Sequence, residues 1–127
     1  MKLVLGLAVA TVIVLIPSSA KAEWMYVTSA NNRDVFVEDA SINNRGDRID
    51  FWQMDVLGIP FKGKAKRVVT NYALSCSRKT MTTVASTPYN RNGKPLTDPT
   101  LASTPGKTEN IMPGTVGHAI QQMVCGN

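Results

Sequence analysis

Two cysteines (Cys76 and Cys125), one histidine (His118) and a group of carboxylates, Asp34, Glu38, Asp39, Asp47, Asp50 and Asp55, are the side chains of this 127-residue chain best able to do chemistry. Covalent catalysis by serine or cysteine needs a base beside the nucleophile. A nitrogen–sulfur metal cage needs three or four ligands. One histidine and two cysteines that pair with each other supply neither. Asp34 and Glu38 share a strand parity, but four steps of ~3.3 Å set them about 13 Å apart, too far for a glycosidase pair. Solvated strand faces account for the carboxylates, and a cross-strand pair with Asp50 is the alternative left open. Gly46, Gly58 and Gly63 stand alone, so no glycine-rich phosphate loop is present. The chain is therefore read as no enzyme, with no cofactor and no metal.

What the cysteines do depends on compartment. Lys2, the apolar run Leu3–Ile16 and the small-x-small triplet Ala20-Lys21-Ala22 have the form of a signal peptide, residues 1–22. The run is shorter than the ~20 residues that span a bilayer, and no later segment approaches that length. A retained N-terminal anchor is the alternative reading of the same run. No cysteine lies by the cleavage site, so the expected product is exported, periplasmic or secreted, and not lipid-anchored. Residues 23–127 then form a single domain. Two cysteines in an exported chain favour a disulfide over a metal site, so Cys76 and Cys125 are expected to be bonded.

The elements that position them follow from periodicity. At about 100° per residue, Val116, Ala119, Ile120, Met123 and Val124 gather on one face of a short helix ending at Cys125, with Thr115 or Gly114 as cap. Such a helix is too short to be stable alone and must lie on something larger. His118 falls on its opposite, solvated side. Ahead of it, Val68, Thr70, Tyr72, Leu74 and Cys76 alternate with more polar partners, a strand with one covered face. Trp24–Thr28 and Arg33–Glu38 read as a hairpin, Arg48–Met54 as a third strand, and Lys79–Ala85 as a strand antiparallel to its predecessor. Gly58 and Pro60 are expected to break regular structure, Ala40–Gly46 to be a connection, and 90–106 a long irregular excursion with room for one short strand. The fold class is α+β: an antiparallel β-sheet of five or six strands with a C-terminal helix packed on one face and one disulfide. Trp24, Trp52 and Tyr72 are expected to pack between sheet and helix.

Losing Lys2 and Lys21 and no acid takes the formal charge from +5 to +3, too weakly basic to argue for nucleic acid. One cluster of charge stands out: Lys62, Lys64, Lys66 and Arg67. It is either a solvated loop guarding a strand edge or a contact surface for an acidic protein or polysaccharide. The turn holding Tyr89, Arg91 and Lys94 is a second candidate contact surface.

Several marks occur in an order that resembles the surface-adhesin protein E family of bacterial exported proteins. Trp24 opens the mature domain. Val35-Phe36-Val37-Glu38-Asp39-Ala40-Ser41-Ile42 precedes Gly46 and a strand with Trp52. Tyr72 is followed by Cys76, and Pro113-Gly114-Thr115 leads a helix ending Val124-Cys125. The resemblance spans nearly the whole mature chain. It implies an antiparallel sheet, a C-terminal helix and a disulfide, in proteins that act at the bacterial surface and bind host extracellular-matrix proteins. The chain departs from that pattern in lacking a lipobox cysteine and an aromatic in Thr108–Met112. The expected function is a non-catalytic exported binding domain with adhesin-like contact to host or envelope macromolecules. The alternative is a proteinaceous inhibitor of an exported enzyme such as lysozyme, with the Tyr89–Lys94 turn as its plug.

Overall fold

In the computed structural model, which describes residues 23–126, an antiparallel sheet is built on a run of hairpins. The signal peptide expected over residues 1–22 lies outside the described residues. Strands β1 (Trp24–Ala30) and β2 (Arg33–Glu38) are joined through Asn31 and Asn32. Both have positive φ, 53° and 65°, as a primed hairpin turn requires and as asparagine tolerates better than most residues. Strands β3 (Asn43–Arg45), β4 (Arg48–Phe61), β5 (Ala65–Ser75), β6 (Thr80–Tyr89) and β7 (Thr108–Asn110) follow, then helix α1 (Val116–Cys125). The spatial order is β1-β2-β4-β5-β6-β7, with β3 also paired to β4, seven strands in all.

The two strands not among the five placed from the sequence are β3 and β7, three residues each and exposed throughout. They bury nothing and so leave no alternation to read. A second departure is β4, which runs on to Phe61 through Gly58 and Pro60 instead of stopping before them. Its pairing with β5 is lost between Val56 and Phe61, so the missing N–H of Pro60 falls where no ladder bond is made. Gly58 there approaches the β1–β2 turn. Its N–H donates to the Asn32 carbonyl at 2.7 Å, and a Cβ would stand 3.0 Å from that oxygen.

The two faces of the sheet differ. Val35, Val37, Ile49, Phe51 and Leu74 point to one face and, with Ile111 and Ile120, form the core. Helix α1 covers this face with Val116, Ile120, Met123 and Val124, the stripe expected from its period apart from Ala119. Thr115 caps it, its hydroxyl accepting from the His118 N–H at 3.3 Å, and Gly126 ends it in a left-handed turn. The Cys76–Cys125 bond, 2.05 Å long with Cα atoms 6.0 Å apart, ties the last helical residue to the end of β5. Leu101, in a single 3-10 turn (Pro99–Leu101), is 3% exposed and shares a cavity wall with Val68, Thr70 and Tyr72 of the same face.

Tyr72 packs against the core as expected, its ring centroid 5.9 Å from that of Phe51. The tryptophans do not. Trp52 follows Phe51 and therefore points to the open face, 38% exposed. Trp24 pairs with Glu38 and shares that face. His118 is also displaced from its expected solvated position. It is half-buried and its Nδ1 accepts from the Gly114 N–H at 3.3 Å.

Candidate functional site

Register decides which loops meet. Asp34 pairs with Val56, Val56 with Arg67, and Arg67 with Tyr89, so the β1–β2 turn, the β4–β5 turn and the end of β6 share one end of the sheet. The two stretches singled out in the sequence thereby become neighbours. The Arg67 guanidinium carbon lies 6.0 Å from the Tyr89 ring centroid, within cation–π range, and a Cβ on Gly93 would sit 3.2 Å from an Arg67 nitrogen.

The four cations of the 62–67 stretch are not equivalent. Lys62 and Lys64 are exposed at the tip, where Gly63 and Lys64 donate to the Pro60 and Phe61 carbonyls, each at 3.0 Å. Lys66 is half-buried and donates to the carbonyl of Leu57, a residue that pairs with Arg33 of β2 and lies where β4 no longer pairs with β5. Arg67 is held over Tyr89. In the neighbouring turn, Asn90 Oδ1 accepts from the N–H groups of Asn92 and Lys94, each at 2.9 Å, fixing a loop on which Arg91 and Lys94 are exposed. Asp98 is close by; its carboxyl is held below the usual aspartate range by the Thr100 N–H, then by the Thr100 side chain, with smaller help from Lys64 and Lys62. Two residues of this end escaped the sequence reading. Ile59 is 70% exposed and Phe61 45%, and taking Gly58-Pro60 as a strand terminus hid their common spacing.

The carboxylates divide differently from expectation. Asp34 is solvated and accepts from Ser29, and Asp50 faces Arg45 at 3.3 Å and Arg48 at 2.8 Å rather than another acid. Asp55, expected on a solvated face, is 7% exposed on the covered one. It accepts from Arg33 Nη1 at 2.6 Å and from Gln53 Nε2 at 2.8 Å. No signal in its neighbours marks it, because its face is set by the pairing of β4. Burial pushes its carboxyl above the ordinary aspartate value of 3.8, against the opposing pull of Gln53 and Arg33. A raised folded-state pKa means that the native protein holds this proton more tightly than the unfolded chain. That contribution to stability is fully present below 3.8 and is lost as pH rises through the folded-state value. Replacing Asp55 with Asn should remove this loss, measured as a difference between the variant's and the parent's melting temperatures that changes across mildly acidic pH. Parallel pH curves would contradict it.

Among the described residues, no three or more His, Cys, Asp or Glu side chains are grouped to hold a metal ion, and no helix is long and apolar enough to cross a membrane.

A hairpin sheet clasped by one disulfide-tethered helix, with cationic turns gathered at one end, defines a small domain that presents loops from a rigid frame. The chain belongs to a family described as Surface-adhesin protein E, whose model matches residues 24–126. The family is one of surface adhesins, exported and generally non-catalytic. Among solved structures the chain is similar to crystal form II of Haemophilus influenzae protein E, with a TM-score of 0.60 at 17% identity, covering 87% of this chain and 93% of that one. It is also similar to protein E from non-typeable Haemophilus influenzae, with a TM-score of 0.58 at 17% identity and coverage of 87% and 80%. At such identity the likeness is one of fold. Among curated proteins none matches.

Proposed function

We propose that residues 23–127, freed of the 1–22 leader, act as a non-catalytic exported binding domain. Its turn end makes adhesin-like contact with host or envelope macromolecules of acidic character. The observation that supports this is the meeting of Lys62, Lys64 and Arg67 with Tyr89, Arg91 and Lys94 at one end of the sheet. Lys66 belongs to the scaffold of this surface more than to its face, since its ammonium is engaged by Leu57.

Exposed lysines are worth little each but act together on a polyanion. Replacing Lys62 and Lys64 with serine should weaken retention on immobilised heparin and binding to extracellular-matrix extract by roughly three- to tenfold, and flatten the salt dependence. Lys107→Ser, which removes a cation paired to Glu109 outside this end, is the matched control. Unchanged binding in the double variant would remove the turn end as the contact surface. An inhibitor of lysozyme would need the Tyr89–Lys94 turn to project into a cleft. Here the Leu96 N–H bonds back to Pro88 at 2.8 Å and Asn90 to Lys94 at 2.9 Å, which keeps the loop short. A lysozyme inhibition assay separates the two readings.

A further inference from the structure

Charge alone does not account for the β4–β5 tip. Ile59, 70% exposed, and Phe61, 45% exposed and partly turned to the cavity it lines with Leu101, stand two residues apart at the end of β4, where the β4–β5 turn begins. Lys62 follows directly, its ammonium 5.5 Å from the Phe61 ring centroid, and Lys64 completes the turn. A soluble polyanion would neutralise the lysines and leave the apolar pair in water. A lipid surface with anionic headgroups satisfies both: apolar side chains enter the boundary between headgroups and acyl chains, while flexible lysine stems keep their charges at the phosphates. The tip is already ordered by the Gly63 and Lys64 backbone bonds, so docking requires little new ordering.

We infer that the turn end docks on an anionic lipid surface. Ile59 and Phe61 enter the headgroup boundary, and Lys62, Lys64, Arg91 and Lys94 meet lipid phosphates. The inference rests on the proposal that this end is the contact surface, and it names the partner that the end meets.

The test is co-sedimentation of the oxidised protein, freed of residues 1–22, with vesicles of phosphatidylcholine alone or with about one-third phosphatidylglycerol. Binding is expected only to the anionic vesicles. Ile59→Ser with Phe61→Ser should reduce partitioning by about tenfold or more, and Lys62→Ser with Lys64→Ser by roughly tenfold or more. Thermal unfolding checks that each variant is folded, and Ile59→Ser alone, at the more exposed position, should melt within a few degrees of the parent and still lose partitioning. A Phe61→Trp variant adds a local probe whose emission should shift to the blue on anionic vesicles. Vesicle binding that survives loss of Ile59 and Phe61 would overturn the inference. So would no vesicle binding by a protein that still needs Lys62 and Lys64 to hold heparin, an outcome that leaves the contact surface standing. Loss of dependence on Lys62 and Lys64 in both assays would sink the surface and the lipid together.

Discussion

Replacing both Cys76 and Cys125 with serine should lower the unfolding free energy by about 4 kcal/mol, the chain-entropy value for a bridge spanning 49 residues. Against a total of ~5–15 kcal/mol for a domain of this size, that is a large share. At ~4–8 °C per kcal/mol it corresponds to a fall in melting temperature of roughly 15–30 °C. The structure says where the loss will be felt first. Helix α1 has ten residues, below the length at which a helix persists in water, and Ile120 is its one fully buried side chain. Without the bridge its last turn is held only by packing, so amide exchange in 116–125 should accelerate before that of β4 and β5. Equilibrium denaturation of the oxidised protein and of the double serine variant measures the difference. A shift of a few degrees, with unchanged exchange in the helix, would mean that the tether is not what holds it.

The second large effect comes from two adjacent aromatics. Phe51→Ala should cost about 3–5 kcal/mol, the range for emptying a buried aromatic site, because Phe51 is 0% exposed and packs with Val35, Val37 and Ile120. Trp52→Ala removes a larger ring, yet should cost less, about 1–2 kcal/mol, because Trp52 is 38% exposed on the open face. Side-chain direction alternates with strict period two, so a slip of one residue in the β2–β4–β5 register would exchange the two costs. Guanidinium denaturation of the two variants side by side therefore tests the register itself, and equal costs would refute it.

That pair also shows where sequence reading stopped. Arg48–Met54 is plainly a strand, but Phe51 and Trp52 are both large and apolar, and local pattern does not rank them. The strand β5 was legible because its even residues are larger and mostly apolar while its odd ones after Val69 are small or polar, and the observed covered face carries Thr70, Tyr72 and Leu74. The helix was legible for the same reason at a different period. Asp55 was not, since a carboxylate on a covered face is stabilised by Arg33 and Gln53, and its bond to Arg33 crosses from a neighbouring strand. Nor was the continuation of β4 through Pro60, because its tolerance depends on the register being already lost there. The members of the candidate contact end were named from the sequence as two separate stretches. Ile59 and Phe61 were missed, and the adjacency of Arg67 and Tyr89 required the β5–β6 pairing.

By itself, then, the order of residues determined the sulfur pair, the amphipathic terminal helix, the alternating central strand and the α+β class, all of which rest on short-range periodicity or on counting. Only the tertiary structure decided which aromatic faces inward, which acid is enclosed and which loops share an end. Those outcomes depend on hydrogen-bonded register between distant segments, where a shift of one residue turns every side chain to the other face.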